Sequence, residues 1–73
     1  MMKPYEQTAL ANRVTLLLKR HQVKPLKKNK PAPQQERQAE YERACGMIIP
    51  TLADVDQEGL ALARQVIRRW VGI

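Results

Sequence analysis

The residue types that most often perform chemistry are scarce in this 73-residue chain, which has one histidine and one cysteine. His21 lies in a basic stretch without a nearby acid to orient its imidazole, so we interpret it as an exposed residue at a helix end. Cys45 has both Glu42 and Arg43 close by, and we interpret it as a small core residue rather than a reactive thiol. One cysteine and one histidine cannot make an internal disulfide or a zinc site. The prediction is a protein that is not an enzyme.

Three acids alternate along residues 54–58 and raise the question of a cation site. Asp54, Asp56 and Glu58 lack the glycine and the closing glutamate of a calcium-binding loop. Acids near the start of a helix are favoured by the helix dipole, which explains them without a metal. The chain also has no glycine-rich phosphate loop. We therefore predict neither a metal nor a cofactor.

The basic tract, Lys19–Pro33, is the best candidate contact surface in the sequence. It has six basic residues, no acid and three prolines. Such a tract can follow phosphates without reading base sequence, or it can dock into an acidic groove of a protein. It can also be a solvated linker. No aromatic residue lies inside it, which argues against a dedicated single-strand binder. The predicted partner-binding residues are Lys19, Arg20, Lys24, Lys27, Lys28, Lys30, Arg68 and Arg69.

The net charge of +6 is distributed in blocks along the chain. Residues 1–33 carry +7, residues 34–58 carry −4, and residues 59–73 carry +3. Nucleic-acid binders usually spread basic groups over one face, whereas alternating blocks suit a partner protein with complementary patches. Trp70 stands beside Arg68 and Arg69. Arginine and tryptophan are enriched at binding hot spots, although a core position is the commoner role of such a tryptophan.

The first of three predicted helices runs from about residue 4 to residue 21. Pro4 fits the first helical position, and Thr8 offers an alternative N-cap. Lys19 and Arg20 lie in the last turn, where positive charge suits the helix dipole. The predicted apolar stripe consists of Leu10, Val14, Leu17 and Leu18, widened by Ala11 and Leu16. An exposed basic loop is predicted over residues 22–32, since its prolines oppose a continuous helix.

The second helix is predicted over about residues 33–45, with Gly46 ending it in a left-handed cap. Neighbouring helices must hold it in place, because its own apolar stripe is thin. Residues Met47–Pro50 follow as a short apolar connector that we expect to fill part of the core. The stripe of the second helix consists of Ala39, Tyr41, Ala44 and Cys45.

The third helix is predicted over about residues 51–71. Thr51 and Asp54 resemble a capping box, and Gly59 permits close approach of another helix or a local break. The predicted apolar face consists of Val55, Leu62, Ala63, Val66, Ile67 and Trp70, with Leu60 and Val71 at its side. The overall prediction is an all-α three-helix domain in which the first and third helices pack together and the second closes the side.

A DNA-reading helix-turn-helix is one alternative for the last two helices. The connection between them has Pro50 and three large apolar residues, which is long for the tight turn of that motif. The recognition helix would also begin with Asp54, Asp56 and Glu58, which phosphates repel. Base-specific reading by this helix is therefore not favoured.

Taken over its whole length, from MMKPYEQ through KPLKKNKPAP to RQVIRRWVGI, the chain resembles small bacteriophage regulators, such as those of Xanthomonas phages, that bind bacterial RNA polymerase. The likeness lies in a short, basic, mostly helical make-up. The resemblance implies binding to the large polymerase subunits, inhibition of initiation through loss of the sigma factor, and antitermination. It identifies no contact residues.

Two other functions remain open from the sequence. One is a small DNA- or RNA-binding regulator, and the other is an inhibitor of another host enzyme that presents its acids as a DNA mimic. The acids of residues 34–58 are few and mixed with Arg37 and Arg43, which disfavours mimicry. The chain has neither a signal-peptide pattern nor an apolar run long enough for a membrane span, and a single cysteine suits a reducing compartment. The expected location is the host bacterial cytoplasm.

Overall fold

The computed structural model describes residues 2–26 and 33–73, which form three α-helices. We number them α1 (Pro4–Arg20), α2 (Gln34–Ile48) and α3 (Gln57–Val71), and a 3-10 turn over Ile49–Leu52 joins the last two. The described residues include no strand. The predicted all-α, three-helix class is confirmed.

The three helices run alternately up and down. Near the start of α3, Gly59 lies against Leu10 of α1, and near its end the Trp70 indole Nε1–H donates to the Val23 carbonyl at 2.9 Å. Helices α1 and α3 therefore run in the same direction. Helix α2 runs the opposite way, because Arg37 near its start reaches the carbonyl of Gly72 past the end of α3. As predicted, α1 packs most extensively on α3, and α2 closes the side.

One apolar core lies between the helices. Leu16, which the sequence predicted would widen the stripe of α1, is instead 66% exposed. It lies two positions from the fully buried Leu18, a rotation of about 200° that points it to solvent. Ala39 of the predicted α2 stripe is also exposed, while Val23 and Leu52 are buried without having been predicted. The buried apolar residues are Leu10, Val14, Leu18, Val23, Ala44, Ile48, Leu52, Ala63, Ile67 and Val71.

Helix α1 begins at Pro4, as its proline predicted, and not at Thr8. It ends one residue earlier than expected, with Gln22 in a left-handed conformation at φ 57°. Two backbone bonds close the end, from Gln22 N–H to the Lys19 carbonyl at 3.1 Å and from Val23 N–H to the Leu18 carbonyl at 2.9 Å. This pair of bonds is the Schellman motif, and the burial of Leu18 and Val23 supplies its apolar contact. The motif turns the chain back towards α3.

The predicted end of α2 at residue 45 was wrong. The helix continues through Gly46, which is exposed, and it ends at Ile48. Ile48 is fully buried and lies one turn beyond the buried Ala44, so core packing extends the helix past a glycine that propensity alone would use as a stop. The expected core-filling role of the apolar connector is borne out by Ile48, but this residue acts from within the helix.

The predicted start of α3 at Thr51 was also wrong. Thr51 is part of the 3-10 turn, and its hydroxyl donates back to the Ile48 carbonyl at 2.6 Å. Helix α3 begins at Gln57, with Asp56 as N-cap accepting from the Gly59 N–H at 2.9 Å. The turn buries Leu52 completely, and this burial delays the helix until the next capping residue.

This corrected start predicts which acid stabilises α3. Replacing Asp56 with alanine should lower the free energy of unfolding by about 1 kcal/mol, because an N–H of the first turn loses its acceptor. Asp56→Asn should retain most of the stability, since asparagine is an equally good N-cap. Urea denaturation followed by circular dichroism measures both. A capping box at Thr51 would instead leave Asp56→Ala neutral and make Thr51→Ala the costly change.

Candidate partner-binding site

The ends of α1 and α3 and the start of α2 meet at one end of the bundle, which we call the basic end. Besides the Trp70–Val23 bond, the Leu26 N–H donates to the Trp70 carbonyl at 2.8 Å. Leu26 also lies against Gly72, whose φ of 82° ends α3. Residues 23–26 are thereby held along the last turn of α3, although they have no regular secondary structure.

Five of the predicted contact residues lie at the basic end. Lys19 and Arg20 occupy the last turn of α1, and Lys24 follows the Schellman motif. Arg68 and Arg69 occupy the last turn of α3, and all five are exposed. The remaining three, Lys27, Lys28 and Lys30, lie outside the described residues, as does the rest of the predicted loop after residue 26. The fold brings the two ends of the sequence prediction together, although they are more than forty residues apart in the chain.

Arg37 is a sixth basic residue of this end, and the sequence prediction missed it. In the sequence it stands among the acids of residues 34–58. Its Nη1 donates to the Gly72 carbonyl at 2.5 Å, while its buried Nε has no hydrogen-bond partner among residues 2–26 and 33–73. This contact joins residues 35 positions apart, and no local rule of sequence signals it.

A cavity of about 420 Å³ opens between the start of α2 and the end of α3. The guanidinium groups of Arg37 and Arg68 line it, and the described residues that line it include no aspartate or glutamate side chain. Burial, followed by interaction with the Cys45 side chain, raises the pKa of Tyr41, which therefore remains a neutral hydrogen-bond donor at physiological pH. The lining residues are Gln34, Arg37, Gln38, Tyr41, Arg68, Gly72 and Ile73.

Glu40 is a half-buried acid of α2 that lies near Lys24. Its carboxylate accepts a short hydrogen bond from Arg43. The Arg43 hydrogen bond is the main cause that lowers the pKa of Glu40, and a backbone hydrogen bond from Lys24 lowers it further against the opposing effect of burial. Glu36, in the first turn of α2, is a further acid at this end and is exposed. The Lys24 side chain is exposed.

The opposite end of the bundle has acids and a more apolar groove. Arg13 and Asp54 form a two-bond ion pair at 3.1 and 3.3 Å, and the Arg13 guanidinium lowers the pKa of the Asp54 carboxyl. Both side chains are largely exposed, so their pairing contributes little stability. A groove of about 450 Å³ runs beside them, with Met2, Tyr5 and Val55 among its lining residues. This end therefore carries acids, Asp54 among them, whereas the basic end carries an excess of exposed lysines and arginines.

His21 and Cys45 are the other residues whose side chains could perform chemistry. His21 caps the end of α1 and is half-buried, and Cys45 is a half-buried free thiol on α2. Over residues 2–26 and 33–73, no three histidine, cysteine or acidic side chains are grouped so that they could hold a metal ion. None of the helices in the same ranges has the length and apolar character needed to cross a membrane.

The α2–turn–α3 unit retains the acidic start that disfavours base reading. Asp56 and Glu58 stand at the beginning of α3, where a recognition helix would meet the major groove. Comparison of the chain with protein-family models, with curated proteins and with solved structures finds no match. The interpretation of the site therefore depends on its geometry and charge.

Proposed function

We propose that this protein is a non-enzymatic, phage-type transcription regulator that docks its basic end onto an acidic surface of the large subunits of bacterial RNA polymerase. The proposed docking surface is based on one observation. Five exposed basic residues lie together at one end of the bundle, whereas the other end has Asp56, Glu58 and the ion-paired Asp54. The five are Lys19, Arg20, Lys24, Arg68 and Arg69. Such polarity orients a protein as it approaches an acidic partner.

The named partner comes from the resemblance to polymerase-binding phage regulators rather than from the lysines and arginines. Physically, a bound protein with no active site acts by preferring one state of its partner and shifting the population towards it. Preference for polymerase without sigma factor would inhibit initiation, and preference for the elongating form would produce antitermination. If RNA polymerase is the partner, a single binding event therefore accounts for both inhibition of initiation and antitermination.

The test is retention of purified core polymerase on the immobilised protein at about 50 mM salt. The wild type should retain polymerase, and raising the salt should reduce retention because the contact is electrostatic. The double variant Lys24→Ala/Arg69→Ala should reduce affinity at least tenfold, by analogy with charge-assisted contacts worth about 1.5 to 3 kcal/mol. Lys3→Ala/Arg13→Ala removes the same charge at the opposite end and should change affinity less than threefold.

Two outcomes would contradict the proposal. Absence of retention by the wild type at low salt removes polymerase as the partner. Equal loss in the two double variants would mean that net charge, and not the basic end, governs binding. A gel-shift with bare DNA and RNA at the same salt tests the nucleic-acid alternative, since a protein that contacts several phosphates must shift them there.

A further inference from the structure

The cavity beside Arg37 has features of a site for one carboxylate side chain. Arg37 is held by its Nη1 bond to the Gly72 carbonyl, and its buried Nε–H has no acceptor within the described residues. Buried polar groups are almost always paired, and an unpaired donor on a charged group is costly. A ligand atom cannot reach the covered Nε, but an anion in the adjoining cavity would offset this cost through its charge beside the same guanidinium.

The other lining groups point to the same class of ligand. Arg68 adds a second positive charge, and the side-chain amides of Gln34 and Gln38 and the neutral phenol of Tyr41 add further donors. An anion is therefore the ligand that the lining favours. Arginine is the residue best shaped for an oxyanion, because its planar group can donate two parallel bonds.

We propose that this cavity binds a glutamate or aspartate side chain projecting from the protein partner. Its volume of about 420 Å³ exceeds the space of a lone oxyanion and leaves room for the methylene stem of an acidic residue against Tyr41 and Ile73. Arg37 is only partly exposed, so a projecting side chain reaches its guanidinium more readily than a broad surface does. A backbone phosphate of a nucleic acid is flanked by sugars and does not project in that way.

This inference deepens the proposed function by giving one carboxylate of the partner a defined position, but its test does not use polymerase. A fluorescein-labelled tetraglutamate peptide is titrated with the full chain, and fluorescence anisotropy is measured. A tetraglutamine peptide of the same length is the matched ligand control. The wild type should bind the acidic peptide and not the neutral one.

The matched variants are Arg68→Gln and Arg64→Gln, which remove the same charge from exposed residues one turn apart on α3. Arg68 lines the cavity, whereas Arg64 does not and lies outside the proposed docking surface. Arg68→Gln should weaken tetraglutamate binding about tenfold or more, and Arg64→Gln less than threefold. Equal losses would overturn the site, because they would indicate long-range attraction alone. Binding of tetraglutamine as tightly as tetraglutamate would overturn it too.

Two further measurements test whether the peptide binds at this cavity and whether the site prefers a carboxylate to a phosphate. Amide chemical shifts of wild-type protein, recorded during peptide addition, should move at Gln34, Gln38 and Gly72, and shifts confined to other residues would contradict the site. A labelled oligothymidine serves as the phosphate probe, and binding of that probe with greater dependence on Arg68 than on Arg64 would replace the carboxylate by a phosphate. Retention of polymerase together with failure of the peptide to bind would refute the cavity alone, and the reverse result would refute the polymerase partner alone.

Discussion

Replacing Leu18 with alanine should lower the free energy of unfolding by about 2 to 5 kcal/mol. Leu18 is fully buried and is among the largest side chains in the core. Truncation removes transfer free energy and leaves a cavity that the surrounding helices fill only in part. A domain of this length has a total stability of roughly 4 to 11 kcal/mol, so the loss is a large fraction of the whole.

The effect should extend to the basic end, because Leu18 supplies one side of the apolar contact in the Schellman motif that ends α1. Urea denaturation monitored by circular dichroism measures the change in stability. Leu16→Ala is the matched control, since it is the same substitution in the same helix at a position 66% exposed, and it should change stability by less than about 0.5 kcal/mol. Similar losses for the two variants would mean that Leu16 is also buried in solution, for example against a second molecule.

The sequence predicted the number and order of the helices because their apolar residues recur at helical spacing. It did not predict the boundary between α2 and α3. Local rules favoured a stop at Gly46 and a start at Thr51, and the burial of Ile48 and Leu52 overrode both. Helix propensity is a local property of each residue. The burial of Ile48 and Leu52, in contrast, depends on the positions of the other helices.

The candidate site, like the fold, could be predicted from the sequence only in part. A concentration of lysines and arginines can be read directly from the chain, and five of the predicted contact residues do share one end of the bundle. The role of Arg37 could not be read in this manner, since its contact with Gly72 joins residues 35 positions apart. Only the antiparallel arrangement of α2 and α3 brings that guanidinium against the end of α3 and creates the cavity beside it.

The Schellman motif links the fold to the proposed function. Gln22 adopts the left-handed conformation that glycine takes most readily, and the neighbouring turn directs residues 23–26 onto α3. Lys24 is therefore held near Arg68 and Arg69 by backbone and indole hydrogen bonds instead of by its own charge, which would repel theirs. A rigid support for like charges reduces the entropy lost on binding an acidic partner.

The two helical glycines within α2 and α3 should respond to alanine in opposite directions. A Cβ at Gly59 would stand 2.2 Å from Cγ1 of Val55 and 3.3 Å from Cδ2 of Leu10. Valine is stiff about χ1, so relief requires the turn before α3 to move. The gain in helix propensity is about 1 kcal/mol, while overpacking costs about 1 to 3 kcal/mol, and we expect net destabilisation by about 1 to 2 kcal/mol.

Gly46 is the control for this prediction, because it is exposed and a Cβ there would meet nothing within 4 Å. Gly46→Ala should therefore stabilise the protein by about 0.5 to 1 kcal/mol through helix propensity alone. Denaturant midpoints of the two variants, measured against the wild type, should shift in opposite directions. If Gly59→Ala is instead as stabilising as Gly46→Ala, then Val55 does not lie as close to Gly59 as the described structure requires. In that case the path of the turn that leads into α3 would need revision.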